Sequence, residues 1–290
     1  MFLELIKLAR PRHWIKNGVV LAAVIFAGQA TVPGQLELSF LAVAIFCMLS
    51  SAVYTLNDIV DRNKDRLHPR KKTRPIASGT VPVSVAAVML ILLVVIGLTA
   101  AWFINLGFFL ISCAYFVLNV LYSFWLKNVV IADVMAIAIG FVLRAYAGAF
   151  AIDVVASKWL LINTLLLALF LGFGKRRHEL GLLEGEAKSH RRILDHYSQY
   201  LLDQLIGVVT PSVLVVYMLY TFSAEVSSKL GTENLFITIP FVIYGIFRYL
   251  YLIHKKDEGG SPTRVLTSDK PMLIDVVLWL VTVFIVLYIR

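Results

Sequence analysis

Long apolar runs separated by short polar stretches constrain this chain more than any other feature of its sequence. Most of the runs are close to the roughly 20 residues with which an α-helix crosses the hydrocarbon core of a bilayer. In lipid a helix also satisfies its own backbone hydrogen bonds. We therefore predict an all-α integral membrane protein with nine transmembrane helices. The predicted spans are Gly18–Pro33, Leu38–Leu56, Val81–Ile104, Leu106–Leu126, Val129–Ile152, Trp159–Gly174, Leu205–Ala224, Leu235–Ile253 and Met272–Ile289.

The composition supports a single polytopic membrane domain over residues 1–290, with residues 1–16 as an interfacial N-terminal arm. Hydrophobic residues make up 59% of the chain, against about 45–50% in soluble domains. The formal charge of +9 does not predict a nucleic-acid partner, because the bases lie in loops beside the spans, where anionic headgroups and phosphorylated substrates are the expected partners. Cys47 and Cys113 fall within apolar runs, so we expect no disulfide or metal framework.

The distribution of lysine and arginine predicts the orientation of the chain. Of the 27 such residues, 22 lie in the N-terminal arm and in the loops after the second, fourth, sixth and eighth spans. Because cytoplasmic loops carry an excess of these residues, we predict a cytoplasmic N-terminus and a C-terminus on the opposite side.

The polar stretch at 57–80 follows the second span and carries the strongest chemical signal. Asn57, Asp61 and Asp65 are four residues apart, and Asp58 lies three before Asp61. On a helix these side chains point roughly one way, and clustered carboxylates need a cation to offset their repulsion. Oxygen ligands without Cys or His favour a hard ion, and Mg²⁺ is the usual one where phosphates complete its shell. The four residues are therefore a candidate Mg²⁺ site.

Basic residues follow these acids directly and are suited to bind phosphates. They are Arg70, Lys71, Lys72 and Arg74. The order of acids at helical spacing followed by bases predicts a Mg²⁺–diphosphate site at the membrane face. A solvated loop of mixed charge is the alternative, since cytoplasmic membrane loops are generally rich in Lys and Arg.

A second polar loop, residues 175–203, begins at the end of the sixth span with Lys175, Arg176, Arg177 and Glu179. Four spans separate it from the first loop, so the two loops can face each other across one cavity. We predict that the three bases bind phosphates of an anionic soluble substrate. Their alternative role is anchoring of the helix end under the positive-inside rule.

Two charged residues fall inside the fifth span, Asp133 and Arg144. They are three turns apart, on one face of a helix but too distant to pair directly. Charges inside a span are costly, so paired or functional roles are the default. We predict a structural partner for Arg144, either Asp153 or a lipid headgroup.

Several of these stretches resemble the UbiA superfamily of intramembrane prenyltransferases. The pattern Asn-Asp-x-x-Asp-x-x-x-Asp at 57–65, followed by Arg-Pro-Ile-Ala-Ser-Gly at 74–79, resembles the first signature of that superfamily. The pattern His-Pro-x-Lys-x-x-Arg-Pro at 68–75 is similar to its decaprenyl-phosphate phosphoribosyltransferase branch. The stretches Arg-Pro-x-x-Trp-x-Lys-Asn at 10–17 and Tyr-Ser-x-x-Leu-Lys at 122–127 resemble the same branch.

The resemblance implies helices around a central cavity open to the cytoplasm, in the plasma membrane. It implies Mg²⁺-dependent transfer of 5-phosphoribose from phosphoribosyl diphosphate to a decaprenyl-like polyprenyl phosphate, with release of diphosphate, in cell-wall biosynthesis. Glu179 would contact Mg²⁺ or a ribose hydroxyl. The candidate substrate-binding residues are Lys16, Asn17, Lys71, Arg74, Tyr122, Lys127, Lys175, Arg176, Arg177 and Glu179. The oligomeric state stays open, a homo-oligomer included.

Two other functions stay open at this point. A UbiA-type prenyltransferase would move a polyprenyl group from its diphosphate to an aromatic acceptor. Such enzymes usually carry a second Asp-x-x-x-Asp motif after the sixth span, where this chain has Lys-Arg-Arg-x-Glu at 175–179. A transporter is disfavoured because the charges cluster at one face rather than at mid-membrane.

Overall fold

The structure, a computed structural model, describes residues 1–68, 71–181, 192–255, 265 and 268–289. Within these ranges the chain is helical and contains no strand. The α-helices are α1 (Phe2–Ala9), α2 (Ala22–Phe26), α3 (Gln35–Val60), α4 (Arg62–Leu67), α5 (Val83–Ile104), α6 (Leu106–Phe124), α7 (Ala132–Ala151), α8 (Lys158–Gly181), α9 (Gln199–Phe222), α10 (Ala224–Leu230), α11 (Ile239–Lys255) and α12 (Lys270–Tyr288). Short 3₁₀-helices cover Pro11–Leu21, Lys71–Thr73, Leu126–Asn128, Arg192–His196 and Asn234–Thr238. Of the predicted phosphate-binding bases, Arg70 lies outside the described residues, as does 182–191 of the second loop.

Eight helical segments of the described chain are long and apolar enough to cross a membrane. They are α3, α5, α6, α7, α8, α9, α12 and α11 together with its preceding 3₁₀ turn. These segments coincide with the last eight predicted spans. The first predicted span, Gly18–Pro33, is not a single α-helix: a 3₁₀-helix runs to Leu21, α2 ends at Phe26, and the chain turns at Gly28 with a φ of 70°.

Side-chain caps set where several helices begin, because the first amide groups of a helix lack intrahelical partners. The Asn105 side chain accepts a hydrogen bond from the Phe108 amide, so a one-residue turn separates α5 from α6. Ser198 caps α9 in the same way. Asp269 caps α12, whose second residue is Pro271.

The helices pack largely in chain order and form a closed bundle. α3 packs on α5, α6 on α7, α7 on α8, α8 on α9, and α11 on α12. The Tyr288 hydroxyl at the end of α12 donates to the Val24 and Ile25 carbonyls of α2, at 3.3 and 2.8 Å. The last helix therefore contacts α2, near the start of the chain. We call the end of the bundle where α3 ends and α7 begins the motif end, because it carries the candidate acids.

The 3₁₀-helix at Pro11–Leu21 lies close against α7, and Gly148 permits this approach. A Cβ at Gly148 would overlap the Val20 carbonyl oxygen. That oxygen belongs to the backbone, so a larger residue would push the two segments apart. This close packing holds the segment that carries Lys16 and Asn17 in the bundle.

We expect Gly148→Ala to lower the stability of the purified protein by about 1–3 kcal/mol, the usual cost of overpacking a tight contact. The matched control is Gly207→Ala on α9, where an added Cβ meets nothing within 4 Å. Thermal unfolding in detergent measures both variants. Equal unfolding midpoints for the two variants would contradict the close approach described here.

Candidate active site

The acids of the 57–65 stretch converge on one arginine. α3 ends at Val60, Asp61 leaves the helical conformation, and α4 begins at Arg62. One guanidinium nitrogen of Arg74 donates to Asp58 Oδ1 at 2.8 Å and to Asp65 Oδ2 at 2.7 Å. Both carboxylates are buried. The helical spacing predicted that these two acids lie together, and their shared partner is Arg74.

Two further bases complete the pairing of these acids. Arg10 donates to Asp58 Oδ1 at 2.6 Å, and Lys127 donates to Asp61 Oδ1 at 2.6 Å. Lys127 lies in the short turn between α6 and α7, and its side chain is buried. The acids therefore join four separate segments of the chain, and Lys127 contacts the site through Asp61.

The donor types at this site fit a hard divalent cation. The Asn57 side-chain oxygen is buried, and no described residue donates a hydrogen bond to it. An orphaned acceptor beside the carboxylates of Asp58, Asp61 and Asp65 leaves an oxygen-only set, which Mg²⁺ prefers. Within the described ranges no three His, Cys, Asp or Glu side chains converge closely enough to hold a metal ion. The position between Asp58 and Asp65 is taken by the guanidinium group of Arg74.

The second candidate cluster is organised by Arg176. Its Nε donates to Asp133 Oδ2 at 2.7 Å and its Nη1 to Glu179 Oε2 at 2.5 Å. The Arg176 side chain is 1% exposed and Asp133 is fully buried. Arg176 is therefore held between two carboxylates, and its predicted contact with a substrate phosphate stays a prediction.

The neighbouring bases of this cluster are more accessible. Lys175 Nζ lies 3.6 Å from Glu179 Oε1 and keeps 40% of its side chain exposed. Arg177 forms an ion pair with Asp203 on α9. Lys175 therefore stands where a soluble anion can reach it, while Arg177 also ties α8 to α9.

A buried tyrosine joins the second loop to the start of α7. The Tyr197 hydroxyl donates to Asp133 Oδ1 at 2.9 Å and accepts from the Ile131 amide at 2.7 Å. Ile131 has a φ of 67°, which is strained for a β-branched residue and costs on the order of 1–3 kcal/mol. Burial raises the pKa of Tyr197 to about 12, so the hydroxyl stays protonated and can donate. Asp133 thus holds both Arg176 and the second loop.

A deeper polar cluster lies beneath the acids. The 3₁₀-helix runs antiparallel along α3, since Arg10 pairs with Asp58 near the top while Trp14 Nε1 donates to Ser51 Oγ at 3.0 Å. Further down, Asn17 Nδ2 donates to Ser50 Oγ at 3.1 Å. Asn17 is fully buried, so it supports this wall of the bundle.

Arg144 belongs to this deeper cluster. Its Nε donates to Asn17 Oδ1 at 3.0 Å and its Nη2 to the Tyr115 hydroxyl at 2.7 Å. The guanidinium lies 4.8 Å from the Tyr115 ring centroid, and the side chain is largely buried in protein. Among the described residues Asp153, the partner predicted from the sequence, does not pair with Arg144, because the 3₁₀-helix and α6 bring neutral acceptors to it. The alternative of a lipid headgroup stays a prediction.

The remaining candidates lie around these clusters. Lys16 is partly buried, one residue before Asn17 on the 3₁₀-helix. Lys71 begins the 3₁₀ turn before Arg74. Tyr122 is partly buried in the last turns of α6.

Comparisons with known proteins show the family to which the chain belongs. The sequence profile of the UbiA prenyltransferase family matches residues 18–268, and the chain belongs to this family. The decaprenyl-phosphate phosphoribosyltransferase of Mycolicibacterium smegmatis is 32% identical over 300 aligned residues, which cover 98% of this chain and 92% of that protein. The protein of the same name from Corynebacterium glutamicum is 32% identical over 98% of this chain and 87% of its own length.

The fold is also that of a solved UbiA structure. A UbiA homolog from Archaeoglobus fulgidus, bound to GPP and Mg²⁺, superposes with a TM-score of 0.74. It is 20% identical and covers 99% of this chain and 100% of that chain. At this identity the likeness concerns the fold.

Sequence reasoning did not include Arg10, Arg144 or Tyr197 among the site residues. Arg10 opens the same stretch that holds Lys16, so its position beside Pro11 was an available signal. The cost of a charge within a span was a signal for Arg144. Nothing in the sequence marked Tyr197, because its role depends on how the second loop folds back onto Asp133.

We expect Tyr197→Phe to lower stability by about 1–3 kcal/mol, since the loss of the hydroxyl leaves Asp133 Oδ1 and the Ile131 amide without this partner. The control is Tyr200→Phe, because Tyr200 is 76% exposed. Thermal unfolding of both variants in detergent is the measurement. An unfolding midpoint for Tyr197→Phe equal to that of the control would contradict the role assigned to the hydroxyl.

Proposed function

We propose that this protein transfers 5-phosphoribose from phosphoribosyl diphosphate to a polyprenyl phosphate and releases diphosphate. The observation that carries the proposal is the ion-pair cluster in which Arg10, Arg74 and Lys127 hold Asp58, Asp61 and Asp65. A polyanionic donor and its cation can exchange with these internal partners. The full-length similarity to proteins named decaprenyl-phosphate phosphoribosyltransferase supports this choice of donor and acceptor.

The chain's own residues perform two tasks in this proposal. Asn57, Asp58, Asp61 and Asp65 would hold Mg²⁺, while Arg10, Arg74 and Lys127 turn from the carboxylates to the phosphates of the donor. When bound, the ion would neutralise charge on the diphosphate leaving group. Lys71 and Lys175 add further positive charge at the same end.

The reaction breaks the bond between C1 of the ribose and the diphosphate oxygen, whose electron pair leaves with the diphosphate. An oxygen of the lipid phosphate forms the new bond to C1. That phosphate is already an anion at neutral pH, so the protein needs no general base. The bases contribute by stabilising the charge that develops on the leaving group.

The loop at 175–179 favours phosphoribosyl transfer over prenyl transfer to an aromatic acceptor. The second Asp-x-x-x-Asp motif of aromatic prenyltransferases is expected where this chain has Lys175, Arg177 and the partly buried pair of Arg176 and Glu179. A donor that carries a phosphate at C5 as well as a diphosphate has more negative charge to bind. Glu179 then serves mainly to hold Arg176 and Lys175, and it is available to a ribose hydroxyl.

The finer architecture is part of the same proposal. We infer one polytopic domain with nine crossings, of which the 3₁₀ and α2 segment at 11–26 is the first. The motif end faces the cytoplasm of the plasma membrane, because most lysine and arginine residues lie in the loops on that side. Soluble phosphoribosyl diphosphate then reaches the acids directly, and the polyprenyl chain lies among the apolar helices.

We expect purified protein to transfer label from radiolabelled phosphoribosyl diphosphate into an extractable lipid when polyprenyl phosphate is supplied. Asp61→Asn should lower kcat/KM by about 100-fold or more, because it removes a charge that helps bind the cation and orient Lys127. The matched control is Asp195→Asn, an exposed acid of the second loop, which should keep activity within about twofold of wild type.

A lipid that stays unlabelled, together with label moving from a prenyl diphosphate to an aromatic acid, would replace this proposal by aromatic prenyl transfer. Equal activity of Asp61→Asn and Asp195→Asn would show that the acids do not take part. The first outcome tests the choice of substrates, and the second tests the choice of site residues.

Removal of divalent cations with EDTA should abolish lipid labelling, and added Mg²⁺ should restore it, because the oxygen-only donor set prefers hard ions. Zn²⁺ should restore it poorly, since no Cys or His belongs to the proposed set. Undiminished transfer after exhaustive chelation would contradict a metal role for Asn57, Asp58, Asp61 and Asp65.

A further inference from the structure

The deeper polar cluster holds more positive charge than the described protein neutralises. Arg144 is 7% exposed, and both of its side-chain partners, Asn17 and Tyr115, are neutral. Among the described residues no carboxylate forms an ion pair with Arg144 or Lys16. Buried charges in proteins are normally paired, so this cluster lacks the anion that its chemistry calls for.

Lys16 belongs to the same electrostatic environment. It lies on the 3₁₀-helix one residue before Asn17, whose side-chain oxygen accepts a hydrogen bond from Arg144. Two neighbouring cations are both stabilised when an anion binds between them. A nearby polar atom is also without a partner, since His13 Nδ1 is buried and no described residue hydrogen-bonds to it.

The depth of the cluster separates it from the diphosphate end of the site. Ser50, which hydrogen-bonds to Asn17, precedes Asp58 by eight residues on α3, which is about 12 Å along the helix axis. Nearer the motif end, Arg10 and Arg74 already pair with the carboxylate of Asp58. An anion bound at Arg144 is therefore a different anionic group from the diphosphate.

We propose that Arg144 and Lys16 bind a phosphate monoester of one of the two substrates. The inference rests on the proposed function, in which each substrate carries one such group: the 5-phosphate of the ribose donor and the phosphate of the lipid acceptor. Arg144 supplies a planar donor fixed by Asn17 and by the Tyr115 hydroxyl, so its orientation is set before the ligand arrives. Lys16 supplies the second positive charge.

The test measures binding separately from turnover, using radiolabelled ribose 5-phosphate and radiolabelled polyprenyl phosphate with purified full-length protein in nanodiscs. The variants are Arg144→Met, Arg144→Lys and Lys16→Met. The control is Arg248→Met on α11, an arginine that pairs with Asp269 and is not assigned to the site. Thermal unfolding reports whether each variant is folded.

We expect Arg144→Met and Lys16→Met to weaken the same one of the two ligands by about tenfold or more. The other ligand should bind within about twofold of wild type, and Arg248→Met should bind both normally. Arg144→Lys keeps the charge but not the planar donor, so it should weaken that same ligand less. The affected ligand identifies whether the ribose 5-phosphate or the lipid phosphate occupies the cluster.

Three results would overturn the inference: unchanged binding of both ligands, different ligands affected by the two positions, or equal weakening of both ligands in a folded variant. Should Arg144→Met fail to fold, Arg144→Lys and Lys16→Met decide by the same criteria. Wild-type protein that binds one phosphate monoester but transfers no ribose would refute the proposed function alone. Normal transfer with unchanged binding in the variants would refute this inference alone.

Discussion

The double pairing of Arg74 is the interaction on which the candidate site depends. A single guanidinium nitrogen holds Asp58 from α3 and Asp65 from α4, across the break in the helix at Asp61. Without a cation between them, two buried carboxylates at this separation would repel and one would take up a proton. Arg10 in the N-terminal arm pairs with Asp58, and Lys127 in the turn before α7 pairs with Asp61. The protein thus carries its own counter-ions at the place where a cation and phosphates are proposed to bind.

The need to pair buried charges also explains how the rest of the motif end is organised. Arg176 is surrounded by Asp133 and Glu179, and breaking such a buried pair typically costs about 3–5 kcal/mol. Asp133 also holds Tyr197 and so fixes the second loop. Deeper in the bundle Arg144 has only neutral partners, and a lone arginine at the centre of a span costs about 2.5–3.5 kcal/mol on insertion scales. Arg176 thus has two carboxylate partners, whereas Arg144 has none among the described residues and is the arginine that we propose binds a phosphate monoester.

The sequence predicted most of the architecture because apolar run length alone determines where a helix can cross a bilayer. Eight of the predicted spans coincide with long helices. The first span differs: it packs closely on α7 where Val20 meets Gly148, and local residue patterns contain no information about such a contact. Similarly, helical spacing predicted that Asp58 and Asp65 converge, whereas the partners of Arg144 come from the 3₁₀-helix and α6, which are distant in sequence. The role of Tyr197 could not be predicted for the same reason, because its partners Ile131 and Asp133 are distant in sequence.

We propose that the acids held by Arg74 serve the transfer of phosphoribose to a lipid phosphate. Mass spectrometry of the lipid extracted after incubation with unlabelled phosphoribosyl diphosphate, polyprenyl phosphate and Mg²⁺ tests it most directly. We expect a polyprenyl phosphate heavier by one phosphoribosyl group, formed by the wild-type protein and absent with Asp61→Asn. A polyprenyl phosphate of unchanged mass, with prenyl diphosphate consumed and an aromatic acid prenylated in a parallel incubation, would contradict it.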